Sequence, residues 1–488
     1  MSSNFEFSPS PSEFATSVFT RRSLLAAAAS VAAAGTLAAC GSSATKAVSP
    51  ATTAAGGGTA TTGAAATGAP ATGAPAATTA ASASTAATAT QAATTAAGAT
   101  TAASASGAVI TFGSYTSDAK PKAALQAAFD STGLNIKVNT VDHNSFQDNI
   151  TNYLAQPDDV FTWFSGYRMR FFADKGLIGD ISDVWTKLPD MPASFKAAAT
   201  GNDGKQYLVT SSYYPWAVFY RKSLFAEKGY KIPKNKADLL ALATKMKADG
   251  LIPFAYANDG KWPVQGTFDI LNMRTNGYKY HVDLLAGKEK WTDPKTKAVF
   301  TAWAELLPFH QENPNGRTWQ EAATALEKKQ AGMFYLGSFV ATNSTDKTYL
   351  DDLDFFTFPE LDPAIGSDAL DAPIDGFMMA AKPKNIEGSK QLLTDLGGTK
   401  AIETFLKGEG ASIAANAKAD TSFYSTIQKK GAELVGSAKS IAQFLDRDTS
   451  PDFVKNVISD AFANFVADPT QVDSILKGIE DQKATYLS

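Results

Sequence analysis

Few residues in this chain form a pattern that could do chemistry. Its three histidines, His143, His281 and His310, lie far apart, and no HExxH, CxxC or EF-hand pattern accompanies them. Neither a GxSxG elbow nor a Walker A loop occurs. The pair Asp158-Asp159 is of the residue type that glycosidases use, but most adjacent acids are solvated turn residues. The sequence therefore predicts no metal site, no cofactor and no catalytic centre.

Aromatic residues set among polar and turn-forming residues are the more informative pattern. Several lie just beyond the carboxyl end of an expected strand, where open α/β sheets bind ligands. A flat ring packs on the apolar CH face of a pyranose, and Asp, Asn, Arg and His pair with its hydroxyls. The candidate ligand-binding residues are Tyr115, His143, Trp163, Arg168, Tyr214, Trp216, Trp262, Ser338, Phe339, Asp375 and Phe377. The alternative, that each aromatic side chain packs in a core, stays open.

Alternating strands and helices must position these residues. The predicted strands cover 108–112, 135–141, 159–164, 216–220, 252–257, 332–336, 353–358 and 377–381. One helix is expected over 121–129, ending near Gly133, and an amphipathic helix over 236–249 has Asn235 as its N-cap. This alternation predicts an α/β fold with largely parallel sheets.

Composition limits the class of partner and the number of cores. The chain has 44 basic and 48 acidic residues and a formal charge of -4, which argues against nucleic acid as its partner. From residue 107 onward, roughly 380 residues of globular composition are too many for one core and fit two lobes. The chain has one cysteine, so it has no internal disulfide.

The N-terminus has the pattern of an export signal and a lipid anchor. A twin-arginine motif, TRRSLL at 20–25, precedes a short apolar stretch that ends LAAC at 37–40. Residues 1–39 are therefore interpreted as a signal peptide and Cys40 as the lipidation site. The alternative is an uncleaved signal anchor with an incidental cysteine. Residues 40–106, rich in Ala, Thr and Gly, are expected to form a disordered tether to the membrane.

Five segments carry a resemblance to a known family. They are PDDVF at 157–161, FFADKGLIGDIS at 171–182, WAVFYRKSLF at 216–225, FDILNMRTNG at 268–277 and MFYLGS at 333–338. In this order they resemble the extracellular solute-binding proteins of ABC importers, carbohydrate-binding group. Two departures are Phe339, where the family often has Trp, and the extra acid in Asp158-Asp159. Two further candidates, Asn272 and Arg274, lie in the fourth segment.

The resemblance implies a two-lobed, type II periplasmic-binding-protein-like fold with the ligand between the lobes. The expected lobes are 107–215 with 376–417, and 216–375 with 418–488. Crossings are expected near 214–217, 373–377 and 415–420. The lobes would close on a sugar or short oligosaccharide, and a monomeric receptor on the outer face of the cytoplasmic membrane would deliver it to an ABC permease.

Two other functions remain open at this point. One is a lipid-anchored polysaccharide-active enzyme that uses the same aromatic residues together with acids. The other keeps the fold and binds a peptide, polyamine, metal chelate or aromatic acid, and Arg168 and Arg274 would supply the counter-charge for an anion.

The anchor assignment is testable without a ligand. Replacing Cys40 by serine removes the thiol that would carry the lipid, so the protein should leave the membrane fraction with unchanged ligand affinity. Fractionation after a high-salt wash, followed by immunoblotting, measures this. A Cys40→Ser variant that stays membrane-bound would contradict the assignment.

Overall fold

The computed structural model describes residues 107–487, so residues 1–39, Cys40 and residues 41–106 lie outside the described part of the chain. Twelve strands occur between residues 107 and 487. They are β1 Ile110–Ser114, β2 Ile136–Thr140, β3 Val160–Phe164, β4 Val209–Tyr213, β5 Trp216–Arg221, β6 Ile252–Phe254, β7 Ala331–Gly337, β8 Leu353–Phe356, β9 Ala369–Asp371, β10 Ile374–Met379, β11 Ile413–Ala414 and β12 Ser440–Ala442.

Helices connect these strands and dominate the C-terminal part. They are α1 Ala119–Thr132, α2 His143–Asp148, α3 Ile150–Tyr153, α4 Tyr167–Asp174, α5 Ser182–Trp185, α6 Ala193–Ala198, α7 Lys222–Lys228, α8 Lys236–Ala248, α9 Pro263–Asn276, α10 Tyr278–Leu285, α11 Pro294–Leu306, α12 Trp319–Glu327, α13 Lys347–Asp352, α14 Ile386–Gly397, α15 Thr399–Glu409, α16 Thr426–Ser437, α17 Leu445–Asp448, α18 Pro451–Phe453, α19 Ser459–Ala467 and α20 Val472–Tyr486. Val454–Ile458 forms a π-helical turn. Within the described range, no helix has the length and apolar character needed to span a bilayer.

The strands form three sheets, of which the two larger ones are mixed and the two-stranded one is parallel. The larger sheet has the order β11-β4-β10-β3-β1-β2, the smaller one β6-β7-β5-β8, and β9 pairs with β12. The expectation of largely parallel sheets is wrong, because β10 runs antiparallel to β3 and β4, and β5 runs antiparallel to β7 and β8. Strand β10 begins where β3 ends, with Asp375 opposite Phe164.

Two hydrophobic clusters form the core. One surrounds the larger sheet and includes Phe112 and Phe161, and the other surrounds the smaller sheet and includes Phe219 and Phe268. We call the two parts the larger-sheet lobe and the smaller-sheet lobe. The residue boundaries given above for the lobes stay a prediction; strand β10 of the larger sheet starts at Ile374, just before the expected boundary at 376.

Local sequence explains where the clearest helices begin and end. The apolar stripe of α8 is buried, and the Asn235 side chain accepts a hydrogen bond from the Asp238 N–H, as an N-cap does. Helix α1 ends at Gly133, whose φ of 71° is favourable for glycine. The predicted stripe, cap and helix end are confirmed.

The aromatic cluster of the smaller-sheet lobe should dominate its stability. The Phe268 ring lies 5.5 Å from Trp291 and 4.9 Å from Phe462 (ring centroids) and has no exposed surface. Phe268→Ala should lower the free energy of unfolding by about 3–5 kcal/mol, measured by urea denaturation. Phe309→Ala, which removes a partly exposed ring from the same lobe, is the control and should cost clearly less. Equal losses would contradict this account.

Candidate functional site

A cavity of about 310 Å³ lies between the lobes, at the end of the larger sheet where β1 and β3 finish. Tyr115 lines it directly after β1, and His143 lines it as the first residue of the helix that follows β2. Thr162 of β3 and Asp375 of β10 also line this side. The carboxyl ends of parallel strands thus bring separate segments together, as expected for open α/β sheets.

The opposite side of the cavity is an aromatic wall from the smaller-sheet lobe. Trp216, at the start of β5, is its central residue: the Phe444 ring lies 4.8 Å away at 30°. Phe339 is 6.1 Å from Trp216 at 79°, and Trp262 is 6.3 Å away at 89°. Trp319 packs edge-on against Phe339 at 5.2 Å. This wall offers one large ring face framed by other ring edges.

Two backbone features fix the orientation of the Trp216 ring. Gly266 lies behind it in α9, and a Cβ there would stand 2.5 Å from Trp216 Cζ3 and 3.0 Å from Phe444 Cε2. Phe444 has a φ of 116°, in the region that favours glycine. Strain of this kind persists only when the surroundings impose it, and it is common at binding sites.

The side of the cavity formed by the larger-sheet lobe is polar. The Tyr115 ring packs edge-on against His143 at 4.9 Å, and the Tyr115 N–H donates to Thr162 Oγ1 at 3.0 Å. His143 Nε2 lies 2.7 Å from Gln147 Nε2. Burial, assisted by the positive charge of Arg447, lowers the pKa of His143 from 6.5 to about 4, so this ring is neutral at pH 7.

Arg447 lies between the two sides and is almost fully buried. Its Nη1 donates to Asp375 Oδ1 at 2.8 Å and its Nη2 to the Tyr214 hydroxyl at 2.9 Å. Its guanidinium carbon lies 4.2 Å from the centroid of the Phe164 ring. Burial alone would lower the pKa of Arg447, but Tyr214, Asp375 and Asp446 raise it. The arginine is therefore charged and committed to protein partners.

Two polar atoms in the cavity lining have no protein partner. Asp446 Oδ2 lies 3.4 Å from Arg168 Nη1, but no described group bonds its buried Oδ1. The indole N–H of Trp216, a residue 4% exposed, is likewise without an acceptor among residues 107–487. A buried acceptor and a buried donor thus stay unpaired in two residues that line the same cavity, and a ligand with hydroxyl groups could pair with such atoms.

Eight of the predicted site residues line the cavity. Tyr115, His143, Asp375 and Phe377 come from the larger-sheet lobe, and Tyr214, Trp216, Trp262 and Phe339 come from the crossing segment and the smaller-sheet lobe. The structure brings them together from six separate segments of the chain. That they contact ligand stays a prediction.

Trp163 and Arg168 do not line the cavity, and their expected placement is corrected. Side chains alternate along β3, so Thr162 faces the cavity whereas Trp163 points into the core and stacks on Phe164 at 4.3 Å. Arg168 lies behind this layer, where Nη1 donates to Gln147 Oε1 at 2.8 Å. It supports cavity residues from behind.

Asn272, Arg274 and Ser338 are also outside the lining, because each has a structural partner. Asn272 Nδ2 lies 3.2 Å from His281 Nδ1 in the core of the smaller-sheet lobe. Arg274 Nε and Nη1 donate to the carbonyl oxygens of Phe358 and Ala369. Ser338 Oγ donates to the Ala411 carbonyl at 3.0 Å. The three side chains therefore lie apart from the cavity in this structure, and their role as ligand contacts stays an untested prediction.

Residues 444–447 are the part of the site that sequence reasoning missed. None of the candidate site residues lies in the last hundred residues of the chain. The available signal was the charged run of Asp446, Arg447 and Asp448 next to Phe444. Charge alone did not distinguish it from a solvated helix face, although Asp446 and Arg447 are less than a tenth exposed.

Comparison with known proteins identifies the family. Residues 112–403 match the family model described as bacterial extracellular solute-binding protein. The chain belongs to this family. An uncharacterized ABC transporter extracellular-binding protein of Pyrococcus horikoshii is 25% identical over 290 residues. The match covers 59% of this chain and 64% of the Pyrococcus protein, so the chain spans just under two thirds of the length of that relative. A probable sugar-binding periplasmic protein of Mesorhizobium japonicum is 24% identical, over 65% of this chain and 79% of that protein.

Solved structures show the same fold. The bacterial solute receptor AcbH, described as exclusive for β-D-galactopyranose, is 45% identical and has a TM-score of 0.76, covering 78% of this chain and 99% of AcbH. A chitin oligosaccharide binding protein is 19% identical with a TM-score of 0.70, covering 78% of this chain and 99% of that protein. The expected two-lobed α/β fold of a solute-binding protein is confirmed.

The protonation of His143 can be measured directly. Its ring should titrate with a pKa of about 4 in an NMR pH series, because burial disfavours the charged form. The unfolded chain, with an ordinary pKa of 6.5, then binds the proton more readily. This residue therefore destabilises the fold as pH falls from about 6.5 towards 4. A His143→Gln spectrum assigns the signal, and a ring that titrates near 6.5 would contradict its burial.

Proposed function

We propose that this protein is the substrate-binding lipoprotein of an ABC importer and captures a sugar in the cavity between its lobes. One observation carries the proposal: an aromatic wall around Trp216 faces a polar wall, and the residues that line the cavity include one with an unpaired donor and one with an unpaired acceptor. A pyranose presents an apolar face to such a ring and hydroxyls to such atoms. AcbH and the Mesorhizobium relative carry names that agree with this class of ligand.

The charges of the lining disfavour an anionic solute. Arg447 is the one lining arginine or lysine among the described residues, and it is held by Asp375 and Tyr214. Six carboxyl groups line the same cavity: Asp118, Asp142, Asp259, Asp375, Glu409 and Asp446. Arg168 and Arg274, the possible counter-charges for an anion, lie outside the lining. A neutral polar ligand is the better fit, and a polyamine is the competitor to test.

Of the two buried acids that line the cavity, Glu409 and Asp446, one is bonded to the backbone, whereas most glycosidases use a pair of available carboxyl groups. Glu409 accepts hydrogen bonds from the backbone N–H groups of Ala411 and Ser412 and from Ser412 Oγ, so it is committed to the local backbone. Among buried lining acids this leaves Asp446 with a free oxygen. Two carboxyl groups on either side of the scissile bond are needed for hydrolysis. We propose binding without chemistry.

Export, anchoring and delivery complete the proposal. The twin-arginine motif and Cys40 support a lipid-anchored, extracytoplasmic location, and membership of the extracellular family agrees with it. The tether would keep a monomeric receptor near its permease while leaving it free to turn. Closure of the lobes on the sugar would then present the loaded form for transport.

Isothermal titration calorimetry with the purified chain tests the ligand class. D-galactose and a panel of neutral sugars should give saturable heat, whereas galacturonate and spermidine should not. Trp216→Phe keeps a ring but removes the free N–H, so it should weaken binding about tenfold, the value of one hydrogen bond. Trp291→Phe, which removes a buried indole N–H outside the cavity lining that is equally unpartnered among the described residues, is the matched control and should leave affinity unchanged. Spermidine binding without sugar binding would overturn the proposal.

A further inference from the structure

Two hydrogen bonds join the lobes across residues that line the cavity. Gln320 Nε2 in the first turn of α12 lies 3.2 Å from Asp118 Oδ1 and 3.4 Å from its Oδ2. Trp262 Nε1 donates to Asn144 Oδ1 at 3.2 Å. Asp118 and Asn144 belong to the larger-sheet lobe, and Trp262 and Gln320 to the smaller-sheet lobe. We call these two contacts the rim bridges.

The rim bridges stand at the outer edge of the cavity. Their four residues are exposed or partly exposed, whereas Trp216, Asp446 and Arg447 at the inner end are less than a tenth exposed. The cavity volume of about 310 Å³ is at the low end of the range of about 300–1,000 Å³ for small-molecule pockets. A ligand longer than the cavity would have to leave it through the edge that the bridges occupy.

The backbone near Trp262 is shaped for a close approach to Asn144. Gly260 has a φ of 79°, and a Cβ there would lie 2.5 Å from Asn144 Nδ2. Lys261, the next residue, also has a positive φ, of 62°. Two consecutive residues with positive φ bend this loop towards the other lobe. The Asn144–Trp262 contact thus depends on the backbone conformation of this loop and not only on the reach of the two side chains.

We propose that the rim bridges Asp118–Gln320 and Asn144–Trp262 select ligand length, closing the cavity around one sugar ring and excluding a second. The inference rests on the proposed function and adds the size of its substrate. A disaccharide bound through its terminal ring would separate at least one bridge and leave a partly buried donor or acceptor unpaired. A single ring fits behind both bridges and leaves them intact.

A third contact between the lobes provides a matched control. Lys455 Nζ, in the π-helical turn, donates to the Asp148 carbonyl at 2.6 Å, and neither residue lines the cavity. This contact stabilises closure whatever the ligand is. Lys455→Ala should therefore weaken monosaccharide and disaccharide binding by the same factor.

The test compares ligand pairs on one protein. Calorimetry with the wild-type chain should give at least a 100-fold preference for D-galactose over lactose and melibiose, which carry a terminal galactose ring. A second series of titrations compares the affinity for D-glucose with the affinities for maltose and cellobiose. Gln320→Ala and Asn144→Ala should each reduce the preference at least tenfold. Gln320→Glu should reduce it more, because its carboxylate repels Asp118 at pH 7.

The outcomes separate this inference from the proposed function. Equal wild-type affinity for mono- and disaccharides would overturn length selection but would not contradict the proposal that the protein is a sugar receptor. Variants at Gln320 and Asn144 that weaken both ligands equally, as expected of Lys455→Ala, would overturn it as well. Absence of binding by every sugar in both series would overturn the proposed function itself. Thermal melts of the variants, expected within a few degrees of the wild type, exclude misfolding.

Discussion

The buried guanidinium of Arg447 is the interaction on which the arrangement of this site depends. It bonds Asp375 and the Ile374 carbonyl at the start of β10, and the Tyr214 hydroxyl between β4 and β5. Both segments connect the larger sheet to the rest of the chain, so one side chain fixes the place where the chain passes between lobes. Removing a hydrogen-bond acceptor from a buried charge is strongly destabilising, because the free-energy cost of desolvating the charge is then no longer compensated. The cavity therefore has a rigid inner end.

The segment that carries Arg447 is held by steric constraints as well. A Cβ on Gly166 would stand 2.4 Å from the Arg447 carbonyl oxygen, so α4 begins close against this segment. On the other side, the Leu445 N–H donates to Asp269 Oδ2 at 2.7 Å, and Phe444 keeps its unfavourable φ. These constraints come from both lobes. They let Phe444 support the Trp216 ring while Asp446, two residues later, faces the same cavity.

Sequence reasoning predicted what depends on local pattern. The stripe and cap of α8, the end of α1 at Gly133 and the placement of Tyr115 and His143 after strands follow from periodicity and capping rules. It did not predict side-chain placements that depend on residues far away in the sequence. Alternation along β3 predicts that Thr162 and Trp163 point to opposite faces of the sheet. Which of these faces lies towards the cavity depends on the register of the sheet, and the sequence of β3 does not contain that information. Arg447 becomes a site residue through partners as far away in sequence as Tyr214, and charge composition does not encode that contact.

The energetics of closure explain why such a site needs its ligand. The two rim bridges and the Lys455–Asp148 bond involve exposed or partly exposed groups, and each of these bonds is worth about 0.5–1.5 kcal/mol net of its solvation. Moving a two-state equilibrium from mostly open to mostly closed takes about 5.5 kcal/mol. These three bonds together contribute less than about 5.5 kcal/mol once the entropy lost in ordering their side chains is included. A ligand that touches the Trp216 wall and the polar wall at once supplies the remainder, and only the closed form offers both.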